Sequence, residues 1–147
     1  MIGIKGAGMT ALAELLVRHG AAVTGSDVAE VFFTDAILAK LGIAVHQSFD
    51  PKNIPKEATL VIYSTAYTRE KNAELAATFD SGVRVMSYPE ALGALTEEKL
   101  TLAVCGTHGK TTTSALLADT LQYLGKDPSA IVGSRIMSWG GNALSGR

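Results

Sequence analysis

Cysteine is nearly absent from the 147 residues: Cys105 stands alone. An internal disulfide is therefore excluded, and a reducing cytoplasmic setting is the simple expectation. Charge is scarce and almost balanced, at 18% of residues and a formal net charge of −1. That balance gives no electrostatic reason to expect nucleic acid or an anionic membrane as partner. No apolar run approaches the roughly 18 residues of a membrane helix, so no membrane insertion is expected. The N-terminus lacks a basic region followed by an apolar core, so no secretory signal is read there. His46 has no ligand spacing to another histidine or to the cysteine, which argues against a metal site of that kind. A charged fraction below the usual quarter fits a surface partly covered by protein outside this chain.

What is present is an alternation of short β-branched runs with helical stretches, the pattern of βαβ units and a parallel sheet. Strands are expected at Met1–Ile4, Ala22–Thr24, Ile43–Val45, Leu60–Tyr63 and Arg84–Met86. Helices are expected at Met9–His19, Thr34–Leu41, Asn72–Phe79 and Pro89–Leu95, the last with proline at its first position. A polar break follows at Thr96–Lys99, after which the chain starts again. Leu100–Cys105 reads as a strand, Gly106–Gly109 as a loop, Lys110–Leu124 as a helix and Ala130–Val132 as the opening of another strand. Gly133–Arg147 is rich in glycine and serine and reads as a tail that closes no unit. The expected class is α/β: a Rossmann-like parallel-sheet domain over 1–97, then the start of a P-loop ATPase domain over 98–147.

Two loops carry the chemistry. The first lies in MIGIKGAGMT, where Gly3, Gly6 and Gly8 crowd a strand-to-helix passage. The dinucleotide fingerprint G-x-G-x-x-G, laid from Gly3 to Gly8, finds Lys5 where its second glycine belongs. Lysine there either adds a charge to a phosphate site or points away, in a turn that needs no positive φ at that position. Gly6, Ala7, Gly8 and Met9 stand where a helix start offers N–H groups to a diphosphate. Asp27 follows about 20 residues later, where such folds place an acid on a ribose hydroxyl; its bland alternative is a turn carboxylate. Ser64, Thr65 and Ala66 follow the strand across the expected switch point, or else form a helix-capping pair.

The second loop, CGTHGKTTT, is sharper. Its residues Gly106, Thr107, His108, Gly109, Lys110, Thr111 and Thr112 sit between a strand and a helix, the setting in which backbone N–H groups cradle phosphates. Lys110 can reach β- and γ-phosphates, and the Thr111 hydroxyl can ligate Mg²⁺. The full G-x-x-x-x-G-K-[ST] pattern fails, because its first glycine would fall at Val104. Lys110 at a helix start, with no acid near it, opposes the helix dipole, and a bound polyphosphate removes that conflict.

GTHGKTT resembles the ATP loop of the Mur ligases, which build the peptidoglycan precursor. IGIKGAGM, VTGSD, STA and GGNALSG follow the same family in the same order along the whole chain. The resemblance implies a longer, multidomain ATP- and Mg²⁺-dependent ligase, of which this chain would be the first domain and the opening of the central one. The missing parts would hold an acidic Mg²⁺ ligand, a nucleobase pocket and an amino-acid-binding C-terminal domain. Histidine at 108 points to members acting on UDP-N-acetylmuramate, joining either L-alanine or a recycled peptide to it. The implied reaction activates the sugar's carboxylate as an acyl phosphate, which the amine of L-alanine then captures. Lys110 would stabilise the transferring charge, and His108 would shape the loop or approach the substrate. Residues 6–9, Asp27 and Ser64–Ala66 would hold the UDP-sugar, and Asn142, in the Gly-x-Asn segment, would approach it. The usual glycine at position 5 is absent. Two other classes stay open: a UDP-sugar-binding module without catalysis, and a nicotinamide-dependent dehydrogenase, which the broken fingerprint and the GKTT loop weigh against.

Overall fold

In a computed structural model, which describes residues 1–97 and 99–146, the parallel sheet is centred on a single residue. Ile2 bridges Ser26 on one side and Tyr63 on the other, both in parallel. Beyond Ser26 lie β1 (Thr24–Ser26) and β2 (Ala44–His46); beyond Tyr63 lie β3 (Leu60–Tyr63) and β4 (Arg84–Ser87). The order is β2-β1-Ile2-β3-β4, and the winding reverses between Ile2 and β3. Ligand crevices of doubly wound sheets open at the carboxyl ends of the strands beside such a reversal. The expected first strand, Met1–Ile4, is reduced to this one bridge because Gly3 adopts φ +78°, which breaks the extended run.

One helix organises the packing. Helix α1 (Ala7–Arg18) buries every residue from Met9 to Leu15, unlike an ordinary amphipathic helix with one wet face. Ala13 meets Ile4, Leu38 and Ile43 on the side of α2 (Phe33–Lys40). Met9 and Leu12 meet Ile62 and Ala91 on the side of α4 (Tyr88–Glu97). Helix α3 (Ala73–Asp80) contributes Leu75 to a separate cluster with Ile2 and Val61; its N-cap Asn72 accepts from Leu75 N–H at 2.9 Å. Each fully buried Leu or Met side chain contributes about 1.5–3 kcal/mol.

The remaining side of α1 is covered by a hairpin that the sequence pattern did not announce. Strand β5 (Ala130–Ile136) pairs antiparallel with β6 (Gly141–Leu144), a short 3₁₀ turn (Met137–Trp139) between them. Ala143 of β6 packs against Ala11 and Leu15, with Ile131 beside them. Residues 133–146 thus close a unit, contrary to their reading as an open tail.

The second correction is the strand expected at Leu100–Cys105, which is absent. No strand among the described residues pairs with it, and Leu100 and Leu102 stand 96% and 59% exposed. Helix α5 (Lys110–Tyr123) does form and packs on β5. The boundary drawn at residue 98 falls on Glu98, outside the described residues. The other expected elements occur within one or two residues of their limits.

Candidate functional site

The first glycine loop is a finished piece of structure. Gly3 makes the tight turn, and glycine is required there twice over: its φ is positive, and a Cβ would lie 2.7 Å from the Tyr67 ring and 2.8 Å from Ser64 Cβ. Gly8 lets α1 approach Tyr88, whose hydroxyl would be 2.7 Å from a Cβ at that position. Helix α1 begins at Ala7 after Gly6, with no side-chain cap and no acid in its first turn. The N–H groups of Ala7, Gly8 and Met9 have no acceptor among the described residues; the first satisfied one is Thr10 N–H on Gly6 O at 2.8 Å. Three free donors at the positive end of a helix dipole can bind an anion.

Lys5 points away from those donors. Its Nζ donates to Val28 O at 2.9 Å and Glu30 O at 2.8 Å and pairs with Asp35 Oδ1 at 3.0 Å. The side chain is buried, and Thr34 Oγ1 donates back to Lys5 O at 2.6 Å. Its backbone is not in the positive-φ region, so the turn makes no demand for glycine at position 5. Partial desolvation raises the Asp35 carboxyl, but the Phe32 N–H and the Lys5 ammonium together hold it below the usual range. Lys5 is therefore a clamp on the segment between β1 and α2.

Asp27, expected at a ligand hydroxyl, turns inward. Oδ2 accepts from Lys5 N–H at 2.7 Å; Oδ1 accepts from Val28 N–H at 2.8 Å and from the Tyr67 hydroxyl at 3.1 Å. Only 4% of the residue is exposed, so the turn-carboxylate alternative describes this conformation. Burial, and then the Asp27 charge, pushes the Tyr67 phenol up to about 12. Ser64 anchors the neighbouring turn: its N–H donates to Ile2 O at 2.9 Å and its Oγ accepts from Ala66 N–H at 3.3 Å. Thr65 and Ala66 are exposed at the carboxyl end of β3. Asn142 is fully buried on β6 beside the start of α1.

The second loop is laid out differently. Residues 105–110 are all exposed, and Gly106 and Gly109 take φ of +152° and +78°. Helix α5 starts at Lys110 with no side-chain cap, and the N–H groups of Lys110, Thr111 and Thr112 have no acceptor among the described residues. Lys110 Nζ rests on the carbonyls of Gly106 and Thr107 at 2.7 and 3.3 Å. These residues fit a polyphosphate: free donors, an uncompensated cation and glycine-permitted turns. Thr111 offers a hydroxyl for a divalent cation; among the described residues no group of three or more His, Cys, Asp or Glu could complete such a site. His108 is exposed within the loop.

Tyr67 and Tyr88, which frame the first loop, were not singled out by the sequence. Neither stands at a motif spacing, and only the third dimension brings them to Gly3 and Gly8. Two cavities lie away from both glycine loops. One of about 470 Å³ opens at the amino ends of the strands, among Leu16, Val23, Gly25, Asn53 and Thr59. No helix among the described residues is long and apolar enough to cross a membrane.

Comparison with known proteins is consistent along the whole chain. A UDP-N-acetylmuramate–L-alanine ligase of Treponema pallidum is 48% identical over 92% of this chain, which covers 28% of that protein. The crystal structure of the Thermotoga maritima UDP-N-acetylmuramate–alanine ligase superposes with a TM-score of 0.88 at 33% identity, over 99% of this chain and 34% of that one. The UDP-N-acetylmuramate:L-alanyl-γ-D-glutamyl-meso-diaminopimelate ligase of Neisseria meningitides superposes at 0.85 and 30% identity, over 97% of this chain and 44% of that one. This chain thus spans about a third of such proteins. Residues 1–100 match the Mur ligase family, catalytic domain. With a glycine loop opening each of α1 and α5 and residues 1–100 matched by the family, the chain belongs to the Mur ligase family.

Proposed function

We propose that this chain is the N-terminal part of an ATP-dependent ligase that joins L-alanine to the carboxylate of UDP-N-acetylmuramate. The observation that carries the reading is the pair of independent helix starts with free N–H groups, one at Ala7 and one at Lys110. A dehydrogenase needs one such loop, whereas a ligase that takes a UDP-sugar and ATP needs two. The Treponema pallidum and Thermotoga maritima proteins are both named as ligases that add alanine to UDP-N-acetylmuramate, and the second shares the fold.

In this reading residues 1–97 hold the UDP-sugar and 98–147 open the ATP-binding domain. The N–H groups of Ala7 to Met9 face the diphosphate, with Gly6 in the turn before them and Ser64, Thr65 and Ala66 at the rim of the same crevice. Asp27 and Lys5 act behind them, fixing the turn and the segment that follows β1. The N–H groups of Thr107 to Thr112 wrap the phosphates, Lys110 neutralises transferring charge, Thr111 holds Mg²⁺, and His108 shapes the loop near the substrate. ATP supplies the phosphoryl group that activates the sugar's carboxylate; the protein's work is positioning and charge neutralisation. The working place is the cytoplasm, and the rest of the central and C-terminal domains completes the enzyme. By itself the chain is inactive.

A second reading, joining a recycled peptide to the same UDP-sugar, is favoured by the likeness to the peptide ligase of Neisseria. Both readings share the UDP-sugar site. Calorimetric titration of the chain with UDP-N-acetylmuramate, ATP-Mg²⁺ and NAD tests it: the UDP-sugar binds, ATP binds weakly or not at all, and NAD gives no heat. Tight NAD binding with no response to the UDP-sugar overturns the reading.

A further inference from the structure

Two tyrosines frame the first loop, and only one of them is satisfied. The Tyr67 hydroxyl is spent on Asp27 Oδ1 at 3.1 Å, whereas the Tyr88 hydroxyl has no hydrogen-bond partner among the described residues. Tyr88 follows Ser87, the last residue of β4, and so stands at the carboxyl end of the sheet. Its ring packs on the cluster of Met9, Leu12, Ile62 and Ala91, which leaves the hydroxyl beside the first turn of α1. A Cβ at Gly8 would lie 2.7 Å from that oxygen, so the hydroxyl stands within about 4 Å of the Gly8 Cα. Glycine at position 8 has no conformational cause: its φ is not positive, and it lies inside a helix, where glycine is a poor residue. What it provides is room for a phenol oxygen that the protein itself leaves unbonded.

The backbone that carries Tyr88 is fixed. Ser87 and Glu90 form a reciprocal cap at the start of α4: Ser87 N–H and Oγ donate to Glu90 Oε2 at 2.7 and 2.6 Å, and Glu90 N–H donates to Ser87 Oγ at 3.4 Å. Of these two neighbouring helix starts, α4 is closed by its own side chains, while α1 keeps three free N–H groups. Burial pushes the Tyr88 phenol above its ordinary pKa, so the hydroxyl keeps its proton. A protonated phenol beside three N–H groups is a fourth donor, and a cluster of donors without an acceptor suits an oxyanion. We infer that Tyr88 is a direct ligand of the bound UDP-sugar, its hydroxyl donating to an oxygen of the diphosphate that the N–H groups of Ala7, Gly8 and Met9 hold. This rests on the UDP-sugar reading above, and adds to it a side-chain contact from the junction of β4 and α4.

Phenylalanine tests this, because Y88F removes one oxygen and keeps the ring that packs on Met9 and Leu12. By calorimetry, Y88F is expected to bind UDP-N-acetylmuramate at least about tenfold more weakly than wild type, with an unchanged thermal midpoint. A hydroxyl that served only the fold would lower the midpoint instead. Inorganic pyrophosphate, the anion alone, is titrated in parallel and read by the amide shifts of Ala7, Gly8 and Met9; it too is expected to bind Y88F more weakly. Binding of the UDP-sugar by Y88F within about twofold of wild type would overturn the inference, and so would a lowered midpoint. If the wild-type chain binds pyrophosphate but not the UDP-sugar, the functional reading falls, and the pyrophosphate ratio between wild type and Y88F decides the role of Tyr88. If it binds neither, both fall.

Discussion

The two glycine loops of this chain differ in how much protein stands behind them. Around Gly3–Met9 every neighbour is in place: Tyr67 and Ser64 pack on Gly3, Tyr88 on Gly8, Asp27 holds Lys5 N–H and Asn142 holds Ala7 O. Around Gly106–Thr112 residues 105–110 are exposed, no strand among the described residues pairs with the preceding segment, and Lys110 leans on its own loop's carbonyls. Both loops offer the same chemistry, a helix start with free donors. Only the first has the supporting contacts that fix where those donors point. A phosphate site is thus two things, a local backbone shape and a buttress, and a chain can contain the first without the second.

Three measurements can break or sharpen that contrast. The largest effect is expected from G3A, where positive φ and the blocked Cβ add up to a loss of about 3 kcal/mol or more. G106A also meets a positive φ of +152° but has only His108 O within 4 Å of its Cβ, and is expected to cost about 1–2 kcal/mol. Urea unfolding of the two variants reads the difference, and equal losses would remove the distinction between the loops.

The next pair compares the two lysines. K5M strands two carbonyls and the Asp35 carboxylate, and is expected to cost about 2–3 kcal/mol. K110M removes an exposed ammonium and is expected to change stability by less than about 0.5 kcal/mol. A destabilised K110M would mean that the second loop is as built as the first.

The smallest effect is spectroscopic. Tyr67 is expected to ionise near pH 12, above the usual value of about 10. Because the folded value is raised, its contribution to stability is whole below about pH 10 and disappears as pH rises through about 12. D27N should lower the value only part of the way, since burial is the larger cause. Absorbance titration at high pH, with Y67F to identify the late phase, checks this.

The alternation of strands and helices was readable because periodicity and the glycine and proline stops are local signals. Lys5 shows where locality ends. Its acceptors are Val28, Glu30 and Asp35, and no spacing rule links them to a lysine in a glycine loop. Asp27 is read from the Rossmann pattern as a ligand acid or a turn carboxylate; its partners, Lys5 N–H and the Tyr67 hydroxyl, come from elsewhere in the chain, where no spacing rule places them. The β5–β6 hairpin hid behind Gly133, Ser134, Gly140 and Gly141, which read as loop until α1 supplies an apolar surface to close on. The segment 100–105 erred in the opposite sense. Its strand propensity is real, but a strand exists only when a neighbour accepts its backbone hydrogen bonds, and none of the described strands does.

That unpaired segment also governs how the chain behaves in company. LTLAVC carries no charge and no proline, and it leaves a row of backbone donors and acceptors open to solvent. An uncharged extended run of this kind is where another strand can add. Glu97, Glu98 and Lys99 just upstream are the nearest charges in the sequence, and on the downstream side none comes before Lys110. An acidic substitution at the exposed Leu102 would break the uncharged run without touching either glycine loop.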